Sequence, residues 1–106
     1  MIQINGEYWR TMMVPYNHHM LRKSNGQLAI GACDDYTKTI YINNTLSGKM
    51  LKKVLCHELT HAAMFSYNVE LSHDQEEILA DIIATYGEEI IAMTNIIFQK
   101  LKEGFI

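Results

Sequence analysis

The sequence is poor in the residues typical of crosslinked or loop-rich proteins, with two cysteines and one proline in 106 residues. Cys33 and Cys56 stand too far apart for a CxxC motif, and a disulfide scaffold of this size normally has more cysteines. We therefore expect both thiols to be reduced and to lie in or near the core. The length predicts a single domain over residues 1–106 with one modest core.

Long apolar runs and clusters of positive charge are also missing. The most apolar stretch, residues 78–98, is interrupted by three acidic residues and an asparagine, which argues against a membrane span. Nine lysines and arginines are scattered along a chain of net charge -3, so no nucleic-acid partner is expected. The first six residues lack the basic and apolar regions of a secretory signal. These absences together predict a cytoplasmic location.

Strand signals fill the first half of the chain and helix signals the second. Residues 2–14 mix aromatic and β-favouring residues around Asn5-Gly6, which predicts one or two short strands. Residues 27–33 and 37–43 are strand-like runs joined by turn chemistry, the pattern of a hairpin, and residues 16–26 are typical of a loop. The predicted class is α+β, with a small N-terminal antiparallel or mixed sheet of about three strands. This sheet packs on a first helix, which carries the motif described below, and on one or two C-terminal helices.

The first predicted helix has one buried face. Ser47 is its N-cap candidate, and it runs to about Tyr67. At about 100° per residue, one side forms an apolar arc from which Thr60 is excluded. The apolar members of this interior arc are Met50, Leu51, Val54, Leu55, Leu59, Ala62 and Phe65.

A second helix is predicted from Gln75 to about Tyr86 or beyond, with Asp74 as its N-cap candidate. Gly87 bends or ends it, and residues 88–102 continue with helical spacing, so the last segment is either an extension or a separate helix. The apolar residues of that segment fit either a core or a dimer face; they are Ile90, Ile91, Ile96, Ile97, Phe98 and Leu101.

The first helix contains the HExxH sequence His57-Glu58-Leu59-Thr60-His61. Residues four apart share a helix face one turn from each other, so both histidines can reach one metal ion. Glu58 lies about 100° round from His57, where it can approach a metal-bound water without ligating the metal. All three side chains point into the interior arc, where unpaired polar groups are costly. This arrangement predicts one zinc ion per chain with Glu58 as general base.

A third ligand is expected downstream, in the ExxxD sequence Glu77-Ile78-Leu79-Ala80-Asp81 on the second helix. Glu77 can complete a His2Glu site that leaves a fourth position for water, as in catalytic zinc sites. Asp81 can accept the remaining ring N–H of a ligating histidine, expected to be His57, and fix its tautomer. The alternative third ligands are Glu76, Glu70 and His73. Met64 and Tyr67 replace the glycine and histidine of HExxHxxGxxH, which excludes the metzincin pattern.

These motifs resemble those of the gluzincin metallopeptidases, and among them the ImmA/IrrE-type metallo-endopeptidases. The resemblance rests on residues 38–43, 54–62 and 77–81 and covers roughly residues 28–90. It implies a minimal zincin-like fold whose edge strand lies beside the active-site helix and takes up a peptide substrate as an added strand. It also implies a protein target such as a repressor, and an origin in a phage or other mobile element, with action in the host cytoplasm. Leu79 departs from the family pattern, which often has a second carboxylate at that position.

The chemistry expected of such a site is amide hydrolysis, in which Glu58 takes a proton from water and delivers it to the leaving amine. The oxyanion of the tetrahedral intermediate also needs a donor. Tyr67, His73 and Tyr86 are candidates, with Tyr36 in addition, and spacing does not choose among them. For any one of these tyrosines, a half-buried packing role is the simpler interpretation.

Two functions remain open at this point. One is an active zinc endopeptidase that cuts a specific protein target, such as a repressor or regulator. The other is a zinc-binding but latent or non-catalytic zincin-like interaction module. Glu58 favours the first, because a purely structural zinc site has no need of a carboxylate at that position.

Overall fold

The computed structural model describes residues 1–104; the last two residues of the predicted 1–106 domain lie outside the described residues. Four strands come first: β1 (Ile2–Ile4), β2 (Glu7–Val14), β3 (Gly31–Asp34) and β4 (Thr39–Asn43). A 3-10 turn at His19–Leu21 interrupts the long connection between β2 and β3. Two helices follow, α1 (Gly48–Ser66) and α2 (His73–Lys102). The α+β prediction is confirmed, and the sheet has four strands where about three were expected.

The sheet is mixed, with strand order β1-β2-β4-β3. β1 and β2 form an antiparallel hairpin, β2 and β4 run parallel, and β4 and β3 form the second antiparallel hairpin. Asn5 and Gly6 both have positive φ, at 47° and 82°, as the two-residue turn of a tight hairpin requires. β3 is therefore a terminal strand of the sheet, and it packs beside α1.

The core lies between one face of the sheet and α1. Trp9, Ile40, Ile42, Val54 and Ala62 form its buried cluster. The indole Nε1 of Trp9 donates a hydrogen bond to the Ser66 hydroxyl over 2.7 Å, so the polar end of a fully buried ring is paired. This contact joins β2 to the last turn of α1 and fixes the helix across the sheet.

Helix α1 has nearly the predicted bounds, and Ser47 is its N-cap residue, although the Ser47 side chain makes no capping hydrogen bond. The predicted interior arc is wrong at its edges. Met50 is 49% exposed and Phe65 is 38% exposed, whereas Thr60 is buried. Met50 lies in the first turn, at the mouth of a cleft. Thr60 can be buried because its hydroxyl donates to the Cys56 carbonyl over 2.9 Å.

Helix α2 begins two residues earlier than expected, and residues 88–102 form an extension of it, one of the two possibilities that their helical spacing left open. Its N-cap is Ser72, which forms a capping box with Gln75, so the prediction of Asp74 as N-cap is wrong. Asp74 lies instead in the first turn, where a carboxylate favours the positive end of the helix dipole. Gly87 does not end α2, because helical residues on both sides continue the hydrogen-bond ladder to Lys102.

The two halves of α2 differ in burial. Residues 73–87 include Ala80, which is fully buried against the rest of the protein, whereas every residue from 88 to 102 is exposed. The apolar residues of that segment are therefore not part of the core. Within residues 1–104, neither helix has a stretch apolar and uncharged enough to cross a membrane.

Candidate metal centre

Three potential ligand atoms from two helices converge on one point. The HExxH segment is helical, so His57 and His61 project from one face of α1, and the first turns of α2 bring Glu77 against them. Nε2 of His57 lies 3.2 Å from Nε2 of His61 and 3.4 Å from Oε2 of Glu77. Nε2 of His61 lies 2.7 Å from Oε1 of Glu77. Ligand atoms about 2.0–2.1 Å from one zinc ion at a tetrahedral angle are roughly 3.3 Å apart, so the first two separations fit a shared ion.

Each histidine has a carboxylate on its other ring nitrogen. Oδ1 of Asp81 lies 2.9 Å from Nδ1 of His57, the pairing that the ExxxD spacing predicts. Oε1 of Glu76 lies 2.6 Å from Nδ1 of His61. A carboxylate at Nδ1 selects the tautomer with the proton on that nitrogen and leaves the Nε2 lone pair for a metal. The donor set therefore suits a divalent metal, with both Nε2 lone pairs directed at the same point.

Glu76 was an alternative third ligand, and the structure places it elsewhere. Its carboxylate is bound to the far side of the His61 ring, whereas Glu77 occupies the side on which the two Nε2 atoms meet. Among the described residues, the group that could hold a metal ion comprises His57, His61 and Glu77. Neither Glu70 nor His73 belongs to it.

Glu58 is buried, with only 6% of its surface exposed, yet its carboxylate is not among the converging ligand atoms. Burial raises the pKa of Glu58, the nearby Glu77 charge raises it further, and His57 and His61 oppose the shift. A carboxylate with a raised pKa beside two histidines is a stronger base than a fully solvated one. It can accept a proton from a water molecule in the adjoining cleft.

The cleft runs between β3 with its preceding loop and the first turns of α1, and has a volume of about 720 Å³. His57, Glu58 and Glu77 line its floor. Its walls combine apolar side chains with two lysines: Leu28, Ala29, Ile30, Met50, Val54, Lys23 and Lys53. A peptide could thus reach the converging ligands along the edge of the sheet.

The oxyanion-donor candidates are placed differently. His73, the first residue of α2, lines the cleft together with Glu58 and Glu77. Tyr67 follows the end of α1, Tyr86 lies on the exposed side of α2, and Tyr36 is in the turn between β3 and β4. None of these tyrosines lines the cleft. The structure therefore brings His73 to the site and leaves the tyrosines away from it.

Sequence reasoning missed the close approach of Gly31 to α1. A Cβ atom on Gly31 would lie 2.8 Å from Cγ1 of Val54, 3.1 Å from Cγ of Glu58 and 3.2 Å from its Oε2. The contact with Val54 is too short for a Cβ atom and the contacts with Glu58 are tight, so β3 approaches α1 this closely because residue 31 has no side chain. A glycine at the start of a predicted strand is the available signal, because glycine within a strand often marks close backbone approach.

The cysteines agree with the expectation of reduced, near-core thiols. Cys33 and Cys56 are both free and partly buried. Burial, followed by the nearby charge of Glu58, raises the pKa of the Cys33 thiol strongly. Cys56 lines a second groove between α1 and α2, which shares Lys53 and Ala84 with the cleft.

Comparison with known proteins agrees with the geometry. No curated protein and no solved structure matches the chain. Residues 13–95 match the model of a peptidase family described as the IrrE N-terminal-like domain. The matched range contains β3, β4, the HExxH segment and the ExxxD segment, that is, both walls of the cleft and the whole candidate metal centre. The chain therefore belongs to the IrrE N-terminal-like family, the ImmA/IrrE type of metallopeptidase.

Proposed function

We propose that this chain is a zinc-dependent endopeptidase that hydrolyses a peptide bond in a specific protein target, such as a repressor or other regulator. The observation that carries the proposal is the position of Glu58. It is a buried carboxylate that faces the cleft beside three converging ligand atoms without belonging to them. Residues 1–106 act in this proposal as one catalytic domain.

His57, His61 and Glu77 are the proposed ligands, and zinc is the proposed metal because two imidazoles and one carboxylate form a common catalytic zinc set. A bound zinc ion would supply Lewis acidity, which polarises a scissile carbonyl and lowers the pKa of a water ligand. Asp81 and Glu76 hold the two rings in the required tautomer. Their contacts of 2.9 and 2.6 Å support this division of roles.

Glu58 is the proposed general base and acid. It takes a proton from the attacking water and delivers it to the leaving amine, so one carboxylate serves both halves of the reaction. Its raised pKa supports both transfers, because the proton is accepted readily and held until the C–N bond breaks. His73 is the proposed donor to the oxyanion, since it is the candidate that lines the cleft.

The substrate is proposed to bind as an extended strand along β3. β3 ends the sheet order, and the loop before it forms a wall of the cleft. Backbone hydrogen bonds along such an edge hold any extended peptide, and side-chain pockets supply selectivity. Leu28, Ile30 and Met50 favour an apolar substrate side chain, and Lys23 and Lys53 favour acidic residues nearby.

The proposal is tested by metal content and cleavage on one set of proteins, purified without added metal: wild type, Glu58→Gln and Glu77→Ala. Elemental analysis should find about one zinc per chain in wild type and Glu58→Gln, and a large loss in Glu77→Ala. Cleavage of a proteome-derived peptide library, read by mass spectrometry, should occur only with wild type. The side-chain amide of Glu58→Gln cannot accept a proton.

Two outcomes contradict the proposal. A wild type without zinc, or Glu77→Ala with a full share of zinc, would show that the ligand assignment is wrong. A zinc-loaded wild type that cuts nothing would favour the second candidate, a latent or non-catalytic interaction module.

A further inference from the structure

We infer that residues 88–102 of α2 pair antiparallel with the same segment of a second copy of this chain to form a homodimer. The segment continues α2 beyond its partner helix. α1 begins at Gly48, and Lys52 in its first turns pairs with Glu88 over 2.9 Å. From that point to Lys102 all residues are exposed. At about 1.5 Å per residue, the segment is roughly 22 Å long.

The exposed segment has one apolar face, which we call the outer face; it comprises Ile90, Ile91, Met93, Ile97, Phe98 and Leu101. Each of these side chains is about half exposed. At about 100° per residue they span an arc of roughly 160°, with Ala92, Asn95 and Gln99 on the opposite side. Ile96 is the large apolar residue of the segment that lies off the face. Soluble monomers rarely expose so many large apolar side chains together, so the outer face is expected to be covered.

The spacing of the outer face suits another helix. An isoleucine recurs every seven residues, at Ile83, Ile90 and Ile97. Met93 lies between the last two, where the second apolar position of a seven-residue helix-pairing repeat falls. This is the pattern by which two helices pack side by side over several turns. A β-strand or an irregular peptide would not match a stripe of that period.

The charges of the segment favour a second copy in antiparallel orientation. Glu88 and Glu89 stand at its start, and Lys100 and Lys102 stand at its end. A parallel pair would place like charges side by side, whereas an antiparallel pair places each acidic end beside a basic end. Equal numbers of acidic and basic residues also argue against an anionic membrane surface, for which a basic polar face is expected.

The register follows from complete overlap of the two segments. Met93 of one copy then lies opposite Ile97 of the other, and this contact occurs twice, once on each side of the two-fold axis. Glu89 and Lys100 lie on the same flank of the outer face, and an antiparallel pair brings equal flanks together. Thr94 falls next to the axis. The residues that line the cleft end at Ala84, before this segment begins, so pairing leaves the cleft open.

The first test is sedimentation equilibrium over a concentration series on the full chain, with Ile97→Glu as the disrupting variant and Asn95→Glu as its control. Both variants add one negative charge to the same exposed helix, on opposite faces. Wild type and Asn95→Glu should dimerise, whereas Ile97→Glu should raise the dimer Kd by more than about a hundredfold, because pairing would bury an unpaired charge. Far-UV circular dichroism, measured on the same samples, reports whether the rest of the fold is intact.

The second test measures orientation by disulfide formation. Thr94→Cys and Leu101→Cys are compared in a background with Cys33→Ala and Cys56→Ala, whose dimerisation is checked first. In the Thr94→Cys variant, the two cysteines lie on either side of the two-fold axis and should form a disulfide between the copies rapidly. In the Leu101→Cys variant they should not, because the two positions 101 lie at opposite ends of the pair. A parallel pair would crosslink both variants.

Three results would overturn the inference: a wild type that stays monomeric at all concentrations, a dimer that Ile97→Glu leaves unchanged, or crosslinking at position 101 that matches position 94. A monomer would indicate that a different protein or domain covers the outer face. None of these measurements depends on peptidase activity, so this inference and the proposed function fail separately.

Discussion

At the scale of single residues, Glu76 illustrates the difference between a metal ligand and a residue that holds a metal ligand in place. Its carboxylate contacts Nδ1 of His61 over 2.6 Å, away from the point where Nε2 atoms and Glu77 converge. We expect Glu76→Ala to weaken metal affinity by about 10–100-fold, the usual effect of removing such a supporting carboxylate. Glu76→Gln should restore most of the loss, because its carbonyl oxygen still accepts the ring N–H. Affinity is measured by competition with a chromogenic chelator.

Two comparisons make the Glu76 prediction specific. Glu70→Ala removes an exposed carboxylate from the connection between the helices and should leave the affinity unchanged. Glu77→Ala should abolish tight binding. If Glu76→Ala lost as much affinity as Glu77→Ala, and Glu76→Gln failed to recover it, Glu76 would have to be a ligand itself.

Gly31 sets the distance between the edge strand and the proposed general base. The Cβ of Gly31→Ala would lie 2.8 Å from Val54 and 3.1 Å from Glu58, so the strand must move or Glu58 must turn. A displacement near 1 Å of a catalytic group can cost about a hundredfold in rate. We therefore expect cleavage of a peptide selected from the library to fall by about that factor while zinc content stays near one per chain.

Gly87→Ala is the matched control for Gly31→Ala. A Cβ at position 87 meets Ile83 at 3.4 Å, an ordinary contact, and Gly87 does not line the cleft. Its activity should equal that of wild type. Full activity in Gly31→Ala would mean that β3 can withdraw without moving Glu58, and the strand would then have no part in positioning the base.

The sequence predicted contacts that depend on spacing within a helix better than contacts that depend on how two helices cross. Helical spacing puts His57 and His61 on one face, and the structure brings Glu77 to both and Asp81 to His57. The contact between Glu76 and His61 could not be read in the same way. It depends on the angle at which α2 crosses α1, and spacing within one helix carries no information about that angle.

At the scale of secondary-structure elements, local signals predicted types well and boundaries less well. Asn5-Gly6 and the turn before β4 specify their hairpins through turn chemistry, and both hairpins are present. The parallel pairing of β2 with β4 has no local signal, because it joins strands separated by a long connection. That pairing depends on burial of both faces of β4, which is a property of the whole sheet.

The limits of α2 show how competing local signals are resolved. Ser72 and Asp74 are both good N-cap types, and Ser72 is the cap because Gln75 completes a reciprocal pair with it. A glycine inside a helix costs about 1 kcal/mol relative to alanine, which is too little to end a helix with good formers on both sides of Gly87. The apolar pattern of residues 88–102 was correct for a helix, but it did not reveal that this segment extends past the first turns of α1.

At the scale of the whole molecule, we expect the proposed site to lower the stability of the metal-free fold. Glu58 is buried, and four carboxylates surround two histidines in the space of two helical turns. A ligand that binds only the folded state offsets such a cost by mass action. The stability of the metal-free protein should therefore depend on the charge of Glu58.

Burial raises the pKa of Glu58 above its value in the unfolded chain. The contribution of a group with a raised pKa is fully present below the unfolded pKa and is lost as pH rises through the folded pKa. Glu58→Gln stays neutral at every pH. We therefore expect it to stabilise the chelator-treated protein at neutral pH by about 0.5–2 kcal/mol, the usual gain from relieving one unfavourable site. The gain should shrink as pH falls toward the range in which an ordinary glutamate is protonated.

Urea titrations of the chelator-treated proteins at several pH values measure this difference, and Glu88→Gln supplies a control of opposite sign. The ion pair with Lys52 lowers the pKa of Glu88, so its charged form favours the fold, and its neutralisation should destabilise slightly at neutral pH. That effect should also fade on acidification, because Glu88 then becomes protonated in wild type as well. If Glu58→Gln were no more stable than wild type at neutral pH, the Glu58 charge would cost the fold nothing, and burial could not be what makes it a strong base.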